Sequence, residues 1–172
     1  MENTMITKIL VPIAFSKYSK GILNFASSLA KPLGARLLIT NVVNERDIEA
    51  VERISSFGYK VDGDHYIATI QKERIEILET MLEELQIADE DYDFIFLAGD
   101  PSTELLRLVL KEHVDLVVMG TKAKDLRSIF TGSVAERMFR KSPVSIVSYR
   151  DKEIANALEK KLRKELHLKS AD

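Results

Sequence analysis

Residues 114–147 read VDLVVMGTKAKDLRSIFTGSVAERMFRKSPVSIV. The run opens with the apolar stretch Leu116, Val117, Val118, Met119 and stops at Gly120. A polar, partly basic loop follows, carrying Lys122, Lys124, Asp125 and Arg127. Gly132 and Ser133 then open a helical pattern that closes before Pro143, and Val144 begins another strand. An apolar run bounded by glycine and flanked by helices predicts a strand buried on both faces of a parallel sheet. Ligands of such sheets lie outside the carboxyl ends of the strands, where the strand order reverses. The loop after Gly120 is therefore the first place to expect function.

Upstream, residues 9–13 read as a short buried strand, ending at Pro12 because proline cannot donate to a ladder. Ser16 is a candidate helix N-cap. Ile22, Phe25, Ala26, Leu29, Ala30 and Leu33 then form one helical stripe that Gly34 terminates. Residues 37–43 make a second strand, and strand–helix–strand implies a right-handed parallel crossover. Residues 44–66 read as an irregular surface insert, with Ile48, Val51 and Ile54 hinting at a short helix and Gly58 and Asp62-Gly63 marking turns. Residues 67–85 predict an amphipathic helix with Ile67, Ile70, Ile77, Leu78, Met81, Leu82 and Leu85 on one side. A third strand covers 94–98, and Asp100-Pro101 supplies a helix cap and a proline at the first helical position.

The last strand runs from Val144 to Tyr149, and its mixed polarity predicts a sheet edge. An exposed edge invites pairing with a second copy. Residues 151–169 form a charged helix with a one-residue-wide stripe, Ile154, Leu158, Leu162, Leu166. Such a stripe lies on the domain body or a sister subunit, or else docks a protein partner; the mixed charge opposite it argues against a membrane surface. Strands alternating with helices make an open α/β sheet.

Composition narrows the function classes. The chain has 172 residues, 45% hydrophobic and 30% charged, which fits one ordinary domain with a real core. The 25 Lys and Arg nearly balance the 27 Asp and Glu, so nothing favours bulk nucleic-acid binding. The absence of cysteine excludes disulfides, thiolate metal sites and cysteine nucleophiles. His65, His113 and His167 form no metal-spaced pair. No segment reads as a signal peptide or membrane span, so the cytoplasm is the expected location.

Three segments converge at the strand ends: residues 12–16, residues 120–124 and residues 132–134. A helix N-terminus at Gly132-Ser133 offers free N–H groups and a positive dipole end to a phosphate, with Lys122, Lys124 and Arg127 nearby in sequence. The same residues also fit a simpler role. Ser133 and Glu136 have capping-box spacing, which satisfies those N–H groups internally.

Taken together, several motifs resemble those of the universal stress protein family. They are Ile9-Leu10-Val11-Pro12 with Phe15-Ser16, residues 41–46 (NVVNER), Gly99-Asp100-Pro101, residues 114–121, residues 132–136 and Ser142-Pro143-Val144. The resemblance covers residues 7–149. It implies an α/β fold: a three-layer open five-stranded parallel sheet, Rossmann-like (adenine nucleotide alpha hydrolase-like), in order 3-2-1-4-5, with an extra C-terminal helix. The expected division is a universal stress protein domain at 1–150 and a helical extension at 151–172. It further implies a homodimer through the last strand and, in many members, ATP bound by Gly-x2-Gly-x9-Gly-Ser or Thr. Carried over, adenine and ribose contacts fall on Pro12, Ile13, Ala14, Val42 and Met119. Phosphate contacts fall on Gly120, Ala123, Lys124, Gly132, Ser133 and Val134. ATP or AMP is the implied cofactor, with Mg²⁺ only alongside nucleotide.

The chain departs from that pattern at three points. Ala123 replaces the second glycine, the spacing to Gly132 is one residue short, and Ala14 replaces the acidic residue usual two positions after the strand proline. Each lost polar contact costs ~1 kcal/mol. The expected function is an adenine-nucleotide-binding regulatory module of the stress response with a degenerate motif. The alternative is a nucleotide-free dimeric scaffold acting through protein contacts. An enzyme is disfavoured, because no Gly-rich SGGxDS run follows the first strand and no paired carboxylates sit in the loops.

Overall fold

The computed structural model describes residues 5–56, 63–120 and 134–168. The strands are β1 (Lys8–Pro12), β2 (Arg36–Asn44), β3 (Tyr92–Gly99), β4 (Leu116–Gly120) and β5 (Ser145–Tyr149). The helices are α1 (Ser19–Leu33), α2 (Glu45–Ser56), α3 (Gly63–Leu85), α4 (Pro101–Lys111), α5 (Val134–Lys141) and α6 (Lys152–Glu165). The five strands form one sheet in the order β3-β2-β1-β4-β5, and every pairing is parallel. The expected strand order and the edge position of β5 are therefore observed.

The sheet is covered on both faces. Successive strand residues point to opposite sides. Ile9, Val11, Leu37 and Ile39 join Leu23, Ala26, Leu78 and Leu82 in one core, under α1 and α3. Leu10, Leu38, Val117 and Met119 join Leu105, Leu108, Val109 and Met138 in the other, under α4 and α5. Ile9, Leu10 and Val11, with Val117 and Val118, have no exposed surface. That double burial explains the unbroken apolar runs of β1 and β4.

Several local expectations change. The region after β2, read as an irregular insert with a short helix hinted at Ile48, Val51 and Ile54, holds the regular helix α2, packed on α3 and β2. Ser16 does not cap α1. The Ser16 N–H donates to Ser19 Oγ at 3.0 Å, and the helix begins at Ser19 with Tyr18 in the cap position. Leu33 and Ile77 lie off their stripes, 47% and 48% exposed. The α1 terminus at Gly34, with φ 62°, and the Asp100-Pro101 start of α4 follow the reading.

One carboxylate locks the two central strands. Asp115 Oδ2 accepts from the Thr7 N–H at 2.8 Å, the Thr7 hydroxyl at 2.9 Å and the Lys8 N–H at 3.0 Å. The Asp115 N–H in turn donates to the Lys8 carbonyl at 3.0 Å. These bonds set the register in which Ile9 lies beside Leu116 and Leu10 beside Val117. Burial alone raises the Asp115 pKa, but the donors from Thr7 and Lys8 outweigh it and hold the carboxyl below its ordinary value.

Replacing Asp115 by Ala strands those donors and is expected to cost about 1–3 kcal/mol in urea unfolding at pH 7. Because the folded-state pKa is depressed, this contribution is full above the unfolded value of about 4 and is lost as pH falls through the folded value. The gap between wild type and Asp115→Ala should narrow in acid; a gap independent of pH refutes the carboxylate's role.

Candidate functional site

The strand order reverses between β1 and β4, and the chain leaves both at the same rim of the sheet. Beyond Pro12, the Ile13 N–H donates to the Thr40 carbonyl at 2.9 Å, which carries the backbone one step past the strand. The buried Asn41 amide donates to the Ile13 carbonyl at 2.7 Å. Asn41 Oδ1 accepts from Arg74 of α3. The Arg74 guanidinium also lies 5.7 Å from the Phe15 ring centre, and burial lowers its pKa from the usual arginine value. Phe15, within the exit loop, adopts φ 51°, a left-handed conformation. β2 and α3 thus hold residues 13–15 in place.

On the other side of the rim, β4 ends at Gly120. A Cβ there would lie 2.7 Å from Ile22 Cδ1, so glycine lets the strand end close to α1. The starts of α4 and α5 are tied together nearby. Asp100 caps α4, accepting from the Thr103 N–H at 2.9 Å and from the Ser102 and Thr103 hydroxyls, each at 2.7 Å. Arg137 of α5 donates to Asp100 Oδ2 at 2.9 Å and to Ser102 Oγ at 2.8 Å. The Thr103 and Ser102 bonds, with the Arg137 charge, hold the Asp100 carboxyl far below the usual carboxylate range.

These segments enclose a cavity of about 430 Å³. That lies within the ~300–1,000 Å³ range of small-molecule sites. On the α4/α5 side its wall is apolar: Pro12, Val42, Pro101, Leu105, Met119, Val134 and Ala135, with Thr40. On the α1 side it meets Ile13, Ala14, Ser16, Tyr18, Ile22 and Gly120. Tyr149, Asp151 and Ile154, at the end of β5 and the start of α6, complete it. Burial, and then the Asp151 charge, raise the Tyr149 pKa.

Pro12, Ile13, Ala14, Val42, Met119, Gly120 and Val134, singled out from sequence, all line this one cavity. Ala123, Lys124, Gly132 and Ser133 lie outside the described residues, as do Lys122 and Arg127. Sequence reasoning missed Thr40, Tyr18, Tyr149, Asp151 and Ile154. Thr40 stands two residues before Val42, on the same strand face, and that parity was a usable signal. Among the described residues no group of three or more His, Asp or Glu is placed to hold a metal ion. No described helix is long and apolar enough to cross a membrane.

α6 touches the body by its first turn. Ile154 is buried, and Glu153 pairs with Lys17 of the β1 exit loop at 2.9 Å. Leu162 and Leu166, further along the stripe, are 52% and 62% exposed.

Comparison with known proteins places this architecture. The model of the universal stress protein family matches residues 5–150. Universal stress protein MJ0531 of Methanocaldococcus jannaschii is 31% identical over 163 residues, spanning 88% of this chain and 87% of that protein. MJ0577 of the same organism is 26% identical over 156 residues, spanning 84% and 96%. The solved structure of MJ0577 superposes with a TM-score of 0.65 over 86% of this chain and 99% of that one, at 25% identity. Two universal stress proteins solved as nucleotide complexes share the fold. One, with cAMP, has TM-score 0.57 at 18% identity over 85% and 98% of the two chains. The other, from Archaeoglobus fulgidus with dAMP, has TM-score 0.56 at 16% identity over 85% and 99%. The rim crevice, the sheet order and the match through the last strand all lead to the same assignment: the chain belongs to the universal stress protein family.

Proposed function

We propose that this protein is an adenine-nucleotide-binding regulatory module of the stress response, which acts by occupancy of the rim crevice rather than by turnover. The observation that supports this reading is the shared lining: Pro12, Ile13, Ala14, Val42, Met119, Gly120 and Val134 border one cavity at the reversal point of the sheet. The apolar wall on the α4 side suits a flat base. Family relatives crystallised with cAMP and dAMP carry adenine in the same fold. Phosphates would extend toward the start of α5, with Mg²⁺ accompanying them where a polyphosphate binds. The Ala14 and Ala123 departures weaken the grip by about one order of magnitude on the scale of one or two lost contacts.

A second reading, a dimeric scaffold acting through protein contacts, is favoured by β5 and α6. β5 is a sheet edge with Val147 and Tyr149 partly buried, and α6 carries the exposed Leu162 and Leu166. Both readings share a homodimer joined at β5, which sedimentation should report as a two-chain species at micromolar concentration; a strict monomer overturns that part.

Thermal unfolding with ATP, AMP and cAMP separates the two readings. A ligand bound only to the folded state stabilises it, by about 2.7 kcal/mol at a hundredfold excess over Kd. For a chain of this size the melting point should rise by about 5–10 °C. No rise at millimolar nucleotide overturns the nucleotide reading and leaves the scaffold. The double variant Ala14→Asp, Ala123→Gly should tighten AMP or ATP binding by about tenfold, as two regained contacts would.

A further inference from the structure

Thr40 sits at the middle of β2, between Pro12 of β1 and Ile95 of β3. It is wholly buried, and its hydroxyl has no hydrogen-bond partner among the described residues. It is the one buried side-chain oxygen or nitrogen so stranded among them. Leaving such a group unpaired is costly, and its neighbours are apolar. Leu38, on the same strand face, belongs to the α4-side core, and Val42 packs against that core, so Thr40 faces the same side. There it lines the cavity beside Pro12, Val42, Leu105 and Met119. Of the described lining residues on that side, Thr40 alone has a polar side chain.

We propose that the Thr40 hydroxyl reads the base edge of the ligand. This rests on the nucleotide reading above and deepens it by assigning the base end of the site. Pro12, Val42, Leu105 and Met119 form an apolar slot that fits a flat heteroaromatic ring. A hydroxyl both donates and accepts, so it can pair with a ring nitrogen or an exocyclic amine. χ1 has three staggered positions, each placing the hydroxyl differently, and a ligand that offers a partner favours the one in which the oxygen meets it. The partner that the fold withholds is then supplied by the ligand. Thr40 is in this sense a specificity-determining residue: it rewards a ring with hydrogen-bonding atoms over a purely hydrocarbon one.

The test uses the full chain with Thr40→Val, which keeps the shape and removes the hydroxyl, and Thr40→Ser, which keeps the hydroxyl. Probes are AMP, adenosine and ribose 5-phosphate, followed by calorimetry and thermal unfolding. For Thr40→Val we expect opposite signs. The ligand-free protein melts about 2–4 °C higher, because a stranded polar group is gone. AMP and adenosine bind about 5–10-fold more weakly. Ribose 5-phosphate, which lacks the base, is unaffected. Thr40→Ser should retain AMP affinity within about twofold of wild type, on the same hydrogen-bond scale. AMP bound equally by wild type and Thr40→Val overturns the inference, as does equal weakening by both variants, which would signal lost packing. A lower melting point for ligand-free Thr40→Val also overturns it, since the hydroxyl would then have a partner within the fold. Wild type that responds to neither AMP nor adenosine overturns the nucleotide reading itself, a result distinct from all of these.

Discussion

β1 and β4 lie side by side at the centre of the sheet, yet the Asp115–Thr7 bonds that align them span 108 residues of chain. Everything the site needs follows from that pairing. It puts the exit of β1 next to the exit of β4, and it creates the reversal in strand order that leaves a gap at the rim. Closing such a long loop costs entropy before it returns any packing, so this contact is an expensive one to form. The apolar burial of Ile9, Leu10, Val11, Val117 and Val118 supplies the compensating free energy. Asp115 adds little of that energy, but it selects the register, and a one-residue slip would turn each side chain to the wrong face.

The sheet was legible because its central strands are buried on both faces and, past Lys8 and Arg36 at their first positions, carry no charge. The cavity floor was legible in part for the same reason, since residues at the ends of those strands have few other places to go. What escaped were roles set by distant partners. Asp115 looks like any residue at the start of a strand until Thr7 is beside it. Thr40 looks like β-branched filler in an apolar run until Pro12 is its neighbour. α2 was legible only as a hint, for a different reason. Its sequence ERDIEAVERISS is mostly polar, with a narrow stripe of Ile48, Val51 and Ile54, and packing on α3 and β2 accompanies its helix. The reading of Ser16 as a cap failed because two serines compete locally, and the Ser19 hydroxyl takes the Ser16 N–H.

The site is built from supports that differ in stiffness. The Asn41–Ile13 bond is buried, and a buried amide bonded on both sides is hard to displace. The Asp100–Arg137 link is partly exposed and is screened by salt. The floor is therefore held by the sheet and α3, while the roof, at the starts of α4 and α5, is held by surface charge. A pocket made this way keeps its base-side shape while its other side adjusts to what it holds.

The family match ends at residue 150, yet Asp151 and Ile154 border the cavity. One wall of the crevice thus comes from the tail, where the constraints of the sheet no longer apply. Substitution there can change the shape of the chamber without disturbing a single strand. Closely related chains with the same core would be able to diverge in selectivity simply by carrying different C-terminal appendages.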